Sequence, residues 1–325
     1  MRTVMERFPG SLRPSLHWGA VLVLAIVVQS CGDGAERPDA DILITGGSLI
    51  DGTGSESTTG AVAVRGDSLV HVGSDGSPAA ADTVDAAGLI VAPGFVDVHN
   101  HTAPAIAERE RRHNEGFLRQ GVTTVVGGPD GALAPWQMRT LISAYRRQGV
   151  GTNVALYVGH NGIRDSIVGR DSAVTDDEME RMKEAVREGM ELGAVGFSTG
   201  LMYEPGMFST TEEVAQLASE ARPFGGIYDS HVRDPVHALV ASDREVVEIA
   251  ERAGIPGKIG HLKAVGLKNA GRIQDVIELV DDARSRGLTI VSDQYPYDGA
   301  ATGALTDIIV IPDSLSSGES FDLEA

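Results

Sequence analysis

From Gly94 to Asp293 the sequence keeps one rhythm: a short apolar, β-branched run, then an amphipathic helical stretch, then another run. The runs cover 92–101, 121–127, 153–159, 194–198, 226–231, 257–261 and 288–293. Three helix starts carry the capping-box pattern, at Thr175-x-x-Glu178, Thr210-x-x-Glu213 and Ser242-x-x-Glu245. Met179, Met182, Val186 and Met190, and again Ile273, Val276, Ile277 and Val280, recur at helical spacing and predict buried stripes. Such alternation predicts a parallel sheet of the (β/α)8 TIM-like barrel class, with a doubly wound open sheet as the alternative. In a barrel the chemistry gathers at the C-terminal ends of the strands, and there this chain places its polar residues.

The region before the rhythm reads differently. Residues 39–93 hold short runs such as Ile42 to Ile44, Ser48 to Ile50, Ala61 to Arg65 and Ser68 to Val72, separated by Gly, Asp and Ser. They predict a small antiparallel β-sandwich part, with His71 as a structural polar residue. Residues 1–31 begin with Arg2, Arg7 and Arg13, continue into an apolar run from Gly19 to Val28, and end at Cys31. A run of about 10 residues is too short for the roughly 20 that span a bilayer, so it reads as an export signal. The sole cysteine after a small residue resembles a bacterial lipoprotein signal, which would lipidate Cys31 and place the protein in the cell envelope or periplasm. An ordinary signal peptide that contains a cysteine is the alternative. One cysteine allows no intrachain disulfide. With 46 acidic against 27 basic residues the chain carries a formal charge of −19, which argues against nucleic acid and anionic lipid surfaces as partners. The membrane would then be met only through Cys31.

The first barrel run ends in His99-Asn100-His101, two histidines spaced to share a strand face, with Asp97 on the same side. The second runs into Gly128-Pro129-Asp130-Gly131, where the glycines allow a sharp turn that presents Asp130. The third ends in His160, the fifth in Asp229-Ser230-His231, the sixth in His261 and the seventh in Asp293 followed by Tyr295. Several strands ending in histidine, in a chain with 9 of them, point to one or two divalent ions, zinc suiting nitrogen and oxygen ligands best. Zinc brings the pKa of bound water to about 7 and polarises carbonyl groups, the chemistry of amide hydrolysis. Asp130 could instead only turn its loop. His17, His113 and His237 read as surface polar groups.

The stretches 93–101, 121–126, Gly196-Phe197-Ser198-Thr199-Gly200-Leu201-Met202-Tyr203-Glu204-Pro205-Gly206, 230–234, 260–263 and Asp293-Gln294-Tyr295-Pro296-Tyr297 resemble the N-acyl-D-amino-acid deacylases (D-aminoacylases) of the metal-dependent amidohydrolase superfamily. That resemblance covers about residues 41 to 300. It implies hydrolysis of N-acyl-D-amino acids, with His99 and His101 holding the weaker metal and His231 and His261 the tighter one. It implies Lys263 and Tyr295 on the substrate carboxylate, with Tyr203, Arg233 and His160 in or beside the pocket. Where better-known members carry a metal-binding cysteine, this chain has Asp130, a harder ligand to which the role is carried over. The family's proton-transferring aspartate ends strand eight. The sequence reaches Ala325 soon after the seventh run, so that residue is expected beyond Ala325, in a longer enzyme of which this is the N-terminal part.

Two other readings stay open. A cyclic-amide hydrolase of the dihydroorotase or hydantoinase type would carry a bridging lysine at the end of strand four, and Val195 to Thr199 contains none. A lipid-anchored binding protein would keep the metal pocket without a catalytic base.

Overall fold

The computed structural model describes residues 38–74, 76 and 78–297. The leader and Cys31 lie outside the described residues. The chain divides into two compact units between Ala92 and Pro93.

In the first unit, β1 (Ala40–Leu49), β2 (Thr58–Arg65), β3 (Ser68–Gly73), β4 (Ala80–Asp85) and β5 (Ile90–Val91) form one sheet in the order β3-β2-β1-β4, with β5 also pairing β1. The first three strands are antiparallel, as their turn-separated pattern predicts. The pairs β1/β4 and β1/β5 are parallel, which makes the sheet mixed. The two predicted runs at 42–44 and 48–50 are one strand, with a bulge between Thr45 and Gly47 that absorbs the glycine pair. Ala40, Leu43, Ala61 and Ala63 form its small core. The described residues of this unit make a single layer, and β4 and β5 are too short and too exposed to announce themselves as alternating strands.

The second unit carries the rhythm: β6 (Phe95–Asn100), α1 (Ala103–Ile106), α2 (Glu115–Leu118), β7 (Val122–Gly127), α3 (Pro135–Gln148), β8 (Asn153–Gly159), α4 (His160–Ile167), α5 (Asp176–Glu191), β9 (Gly196–Gly200), α6 (Thr211–Ser219), β10 (Ile227–His231), α7 (Leu239–Ala253), β11 (Gly257–Ile259), α8 (Ile273–Ser285) and β12 (Ile290–Ser292). Among the described residues its seven strands are all parallel and pair strictly in chain order. A doubly wound sheet reverses its strand order at a switch point, and this one does not. The topology is therefore the singly wound one of a barrel wall.

Local signals explain most of the helix starts; of the three capping-box patterns one forms fully, one by half, and the third does not mark a helix start. Thr175 and Glu178 close their capping box reciprocally at the start of α5. At α6 only half the box forms: Thr210 accepts from the Glu213 amide at 3.1 Å, while the Glu213 carboxylate turns inward to His160 and Arg164. Ser242 and Glu245 lie inside α7, not at its start. Ser242 Oγ accepts from the Asp234 amide and Glu245 binds Arg233, so tertiary partners took both side chains. Met182, Val186 and Met190 are buried, as their stripe predicts. On α8, Val276, Leu279, Val280 and Ala283 form the buried face, and Ile277 is 41% exposed because it sits one helical step off that face. Helix α5 lies so close to β8 that a Cβ at Gly189 would stand 2.3 Å from Val158 Cγ2.

Candidate metal centre

Strand ends deliver the site. At the end of β6, Asp97 accepts from the His99 amide at 3.2 Å and from Asn100 Nδ2 at 2.7 Å, so it shapes the strand end and does not join the histidines. After β7 the chain turns through Gly128, Asp130 and Gly131, all at positive φ (77°, 59° and 73°). Aspartate is one of the few residues other than glycine that takes this conformation at modest cost. Ser198 of β9 clasps the turn by accepting from the Gly131 amide at 3.2 Å and donating to the Gly128 carbonyl at 2.7 Å.

The result is one carboxylate ringed by four imidazoles. Asp130 Oδ1 stands 3.5 Å from His99 Nε2, 3.6 Å from His231 Nδ1 and 3.9 Å from His261 Nε2, and its Oδ2 is 3.5 Å from His101 Nε2. His231 Nδ1 and His261 Nε2 are 2.9 Å apart. All are largely buried except His101, whose side chain is 63% exposed and marks the open side.

These residues fit a divalent cation. Two ligands at about 2.1 Å from a tetrahedral ion lie roughly 3.4 Å apart, close to the spacing around Asp130 and too long for hydrogen bonds. Among the described residues, His99 Nε2 and Asp130 Oδ1 are buried with no hydrogen-bond partner, which a protein rarely tolerates unless an ion supplies the missing contact; His99 Nδ1 makes no hydrogen bond either but faces Asp293 Oδ2 at 3.6 Å. His99, Asp130 and His261 each aim one ligand atom into the same small volume. Protonation states agree. Burial lowers His99 to about 4, and burial together with His231 and Lys263 lowers His261 to about 3, so both imidazoles are neutral with lone pairs free. Burial works against charge on Asp130, but the neighbouring imidazoles, His231 foremost, hold its carboxyl below the usual carboxylate range.

The substrate residues predicted from the sequence fall into two groups. Tyr203 and Lys263 border the cluster. The Tyr203 hydroxyl is 3.2 Å from His231 Nδ1, while Lys263 Nζ lies 2.8 Å from His261 Nδ1 and 5.3 Å over the Tyr295 ring. Burial lowers the Lys263 ammonium from its ordinary value and raises the Tyr295 hydroxyl. Arg233 and His160 make other bonds. Arg233 grips Glu245 with two hydrogen bonds at 2.9 and 2.8 Å and lines a cleft of about 670 Å³ with Leu201, Met202, Met207 and His237. His160 is fully buried with Nε2 3.0 Å from Glu213, where Arg164, also fully buried, donates at 2.9 Å. That trio braces α4 against α6.

Sequence reasoning missed Lys258. It sits in an apolar run on β11, and nothing in its neighbours announces a partner. In the fold its Nζ lies 2.8 Å from Asp229 Oδ1 and hydrogen-bonds Asp293 Oδ2. Burial opposes its charge, but Asp229 and Asp293 outweigh burial and hold the ammonium above its ordinary value. Burial also opposes charge on Asp293, and Lys258 foremost holds that carboxyl low. Asp229 is pushed up to about 7 by burial, against the pull of Lys258.

No protein-family model matches the chain. It is 33% identical over 294 residues to a D-aminoacylase of Alcaligenes xylosoxydans xylosoxydans, covering 83% of this chain and 60% of the relative. An N-acyl-D-glutamate deacylase of the same organism is 34% identical over 286 residues, covering 81% of this chain and 58% of the relative. Among solved structures, the N-acyl-D-glutamate deacylase of Bordetella bronchiseptica, complexed with zinc and a phosphonate inhibitor that mimics the tetrahedral intermediate, superposes with a TM-score of 0.73 at 32% identity. That match covers 79% of this chain and 59% of the solved one. The chain thus spans about three-fifths of the length of the proteins it matches. Over that span, by sequence and by fold, it belongs to the D-aminoacylase family of the amidohydrolases.

Proposed function

We propose that this protein hydrolyses the amide bond of N-acyl-D-amino acids, releasing a D-amino acid and a carboxylate, with zinc held by His99, His101, Asp130, His231 and His261. The observation that carries the reading is the ring of four imidazoles around one buried carboxylate, with an orphaned Nε2 on His99. The relatives named above act on N-acyl-D-amino acids by their names, which supplies the substrate class. Zinc bound there would provide Lewis acidity, activating water near neutral pH and polarising the scissile carbonyl.

The chain's own residues do the rest. Lys263 and Tyr295, beside the cluster, offer an ammonium and a hydroxyl for the substrate carboxylate. Tyr203 presents its hydroxyl on the His231 side as a hydrogen-bond donor for the substrate carbonyl. Neutral His99 and His261 keep their lone pairs for ligation, and ionised Asp130 supplies the negative charge that fixes the ion. The proton-transferring aspartate implied by the resemblance is not among the described residues. The reading extends to the fold, with a closed (β/α)8 barrel and a β-sandwich part in the whole protein, supported by the singly wound parallel sheet and by the relatives' greater length.

The deciding assay is hydrolysis of N-acetyl-D- against N-acetyl-L-amino acids, before and after chelation and again after zinc is restored. Turnover of the D series alone, lost with chelator and regained with zinc, is expected. Equal rates on both enantiomers, or activity indifferent to chelator, would overturn the reading. Export and lipid anchoring at Cys31 belong to the same proposal, on the leader pattern alone. Labelled fatty acid should enter the wild type in a bacterial host and not Cys31→Ser.

A further inference from the structure

Beneath the histidines lies an ion cluster for which the proposed hydrolysis leaves no task. Asp229 and Lys258 face each other across the β10/β11 pairing, and His231 follows Asp229 by two residues, so the pair sits on the same face one level below the ligand. Lys258 has a side chain 4% exposed and Asp229 one that is 0% exposed. Charges taken this far out of water are weak stabilisers, because desolvation offsets most of their attraction. Their geometry points elsewhere. Lys258 Nζ binds Asp293 Oδ2, and Asp293 Oδ1 accepts from the backbone N–H of His261, so both oxygens of Asp293 are held. In that pose Oδ2 faces His99 Nδ1 at 3.6 Å, an electrostatic contact longer than a hydrogen bond, while His99 Nε2 faces Asp130 at 3.5 Å. His99, Asp229 and Asp293 together present atoms close enough to hold a cation of their own, and the Lys258 ammonium lies against both carboxylates.

We infer that Lys258 is a positioning residue of the metal centre: its ammonium fixes the Asp293 carboxylate against His99 Nδ1 and the His261 amide, so that His99 Nε2 is presented to the ion beside Asp130. This rests on the reading that His99 is a metal ligand. A carboxylate on the far nitrogen of a ligating histidine orients the ring and raises its basicity, and losing it typically costs about 10- to 100-fold in metal affinity. Here that carboxylate is itself held by a buried lysine. Lys258 touches neither substrate nor ion and acts only through Asp293.

The test uses the full-length protein. Zinc affinity is measured by competition with a chromophoric chelator, and the visible spectrum of the cobalt-loaded protein reports the ligand geometry. In Lys258→Met, which keeps the volume and removes the charge, zinc should bind roughly 10- to 100-fold more weakly with a shifted cobalt spectrum, in protein whose circular dichroism is unchanged. Asp293→Asn should do the same and serves if the methionine variant does not fold. A crystal structure of the zinc-loaded wild type needs no variant: Asp293 should bridge Lys258 and His99 Nδ1. Asp293 ligating zinc directly, or zinc affinity within twofold of wild type and an unchanged cobalt spectrum in a folded variant, would overturn the role of Lys258. Absence of zinc binding by the wild type would instead overturn the metal-centre reading on which it stands.

Discussion

Asn161 holds Gly200 from both sides: its Oδ1 accepts from the Gly200 amide at 3.0 Å and its Nδ2 donates to the Gly200 carbonyl at 3.0 Å. The second residue of α4 thereby fastens the end of β9, from which the Tyr203 segment departs, and Nδ2 also reaches the Tyr203 carbonyl at 3.4 Å. Asn161→Leu keeps the bulk and leaves the buried Gly200 amide without its partner, while the Gly200 carbonyl still accepts from the Tyr203 amide at 3.1 Å. An unsatisfied group of this kind costs about 1–3 kcal/mol. Urea unfolding should show a loss in that range, and KM for the N-acyl-D-amino acid should rise as Tyr203 loosens.

The same side chain restricts the Asp130 turn. At Gly131, φ is +73° and an added Cβ would stand 2.2 Å from Asn161 Oδ1 and 2.9 Å from its backbone nitrogen. Gly131→Ala should therefore displace Asp130 and weaken zinc binding by at least about tenfold, a loss of roughly 1.4 kcal/mol. Gly149 has nearly the same φ, +69°, with open space around it. Gly149, with ψ 155°, lies in a backbone region open essentially to glycine alone, so Gly149→Ala should cost about 1–3 kcal/mol of stability and keep its zinc. Calorimetric zinc titration of the two variants separates the effects.

Among the described residues, Glu213 is the one carboxylate paired with buried Arg164, and it also holds His160. Burial works to raise its pKa, but His160 and Arg164 outweigh burial and hold it low. Glu213→Gln removes the charge that compensates a fully buried guanidinium, a change that costs about 3–5 kcal/mol where a buried pair is broken. Thr210→Ala, which deletes the neighbouring helix cap, should cost about 1 kcal/mol. Equal losses in denaturant melts of the two variants would contradict the bracing role assigned to the trio.

Asp243 on α7 is 1% exposed, with its Oδ2 unpartnered among the described residues, and burial pushes its carboxyl up to about 7 against the pull of Lys263. The folded protein therefore holds a proton that the unfolded chain, with the ordinary value of 3.8, releases. Stability from this group falls as pH rises from about 4 to about 7 and is level above that. Asp243→Asn should be more stable than wild type at pH 8, and the gap should narrow as the pH is lowered towards 4. Asp229, also raised to about 7, titrates in both proteins and cancels in the difference. Urea midpoints that differ equally at pH 8 and pH 5 would show that Asp243 does not titrate in this window.

The barrel wall was legible because each strand is a continuous apolar run and each helix repeats at its own period, two signals that depend only on local sequence. The histidine cluster was legible for a related reason: a parallel strand that ends in histidine must present it at the same end of the sheet as its neighbours. What stayed hidden depends on pairing across the sheet. Lys258 reads as one polar residue in an apolar run until Asp229 is placed opposite it. Glu213 reads as half a capping box until α4 brings Arg164 against it. Ser242 and Glu245 fit a helix start in sequence, and only the loop before α7 shows why each turns away.

The most direct test of the account is X-ray diffraction at the zinc edge from crystals of the zinc-loaded protein. An anomalous peak within about 2.0–2.2 Å of an Asp130 oxygen and of nitrogens from His231 and His261, or from His99 and His101, is the predicted result. Fully loaded crystals with no peak among these five residues, or with zinc bound elsewhere while Asp130 merely turns its loop, would contradict it.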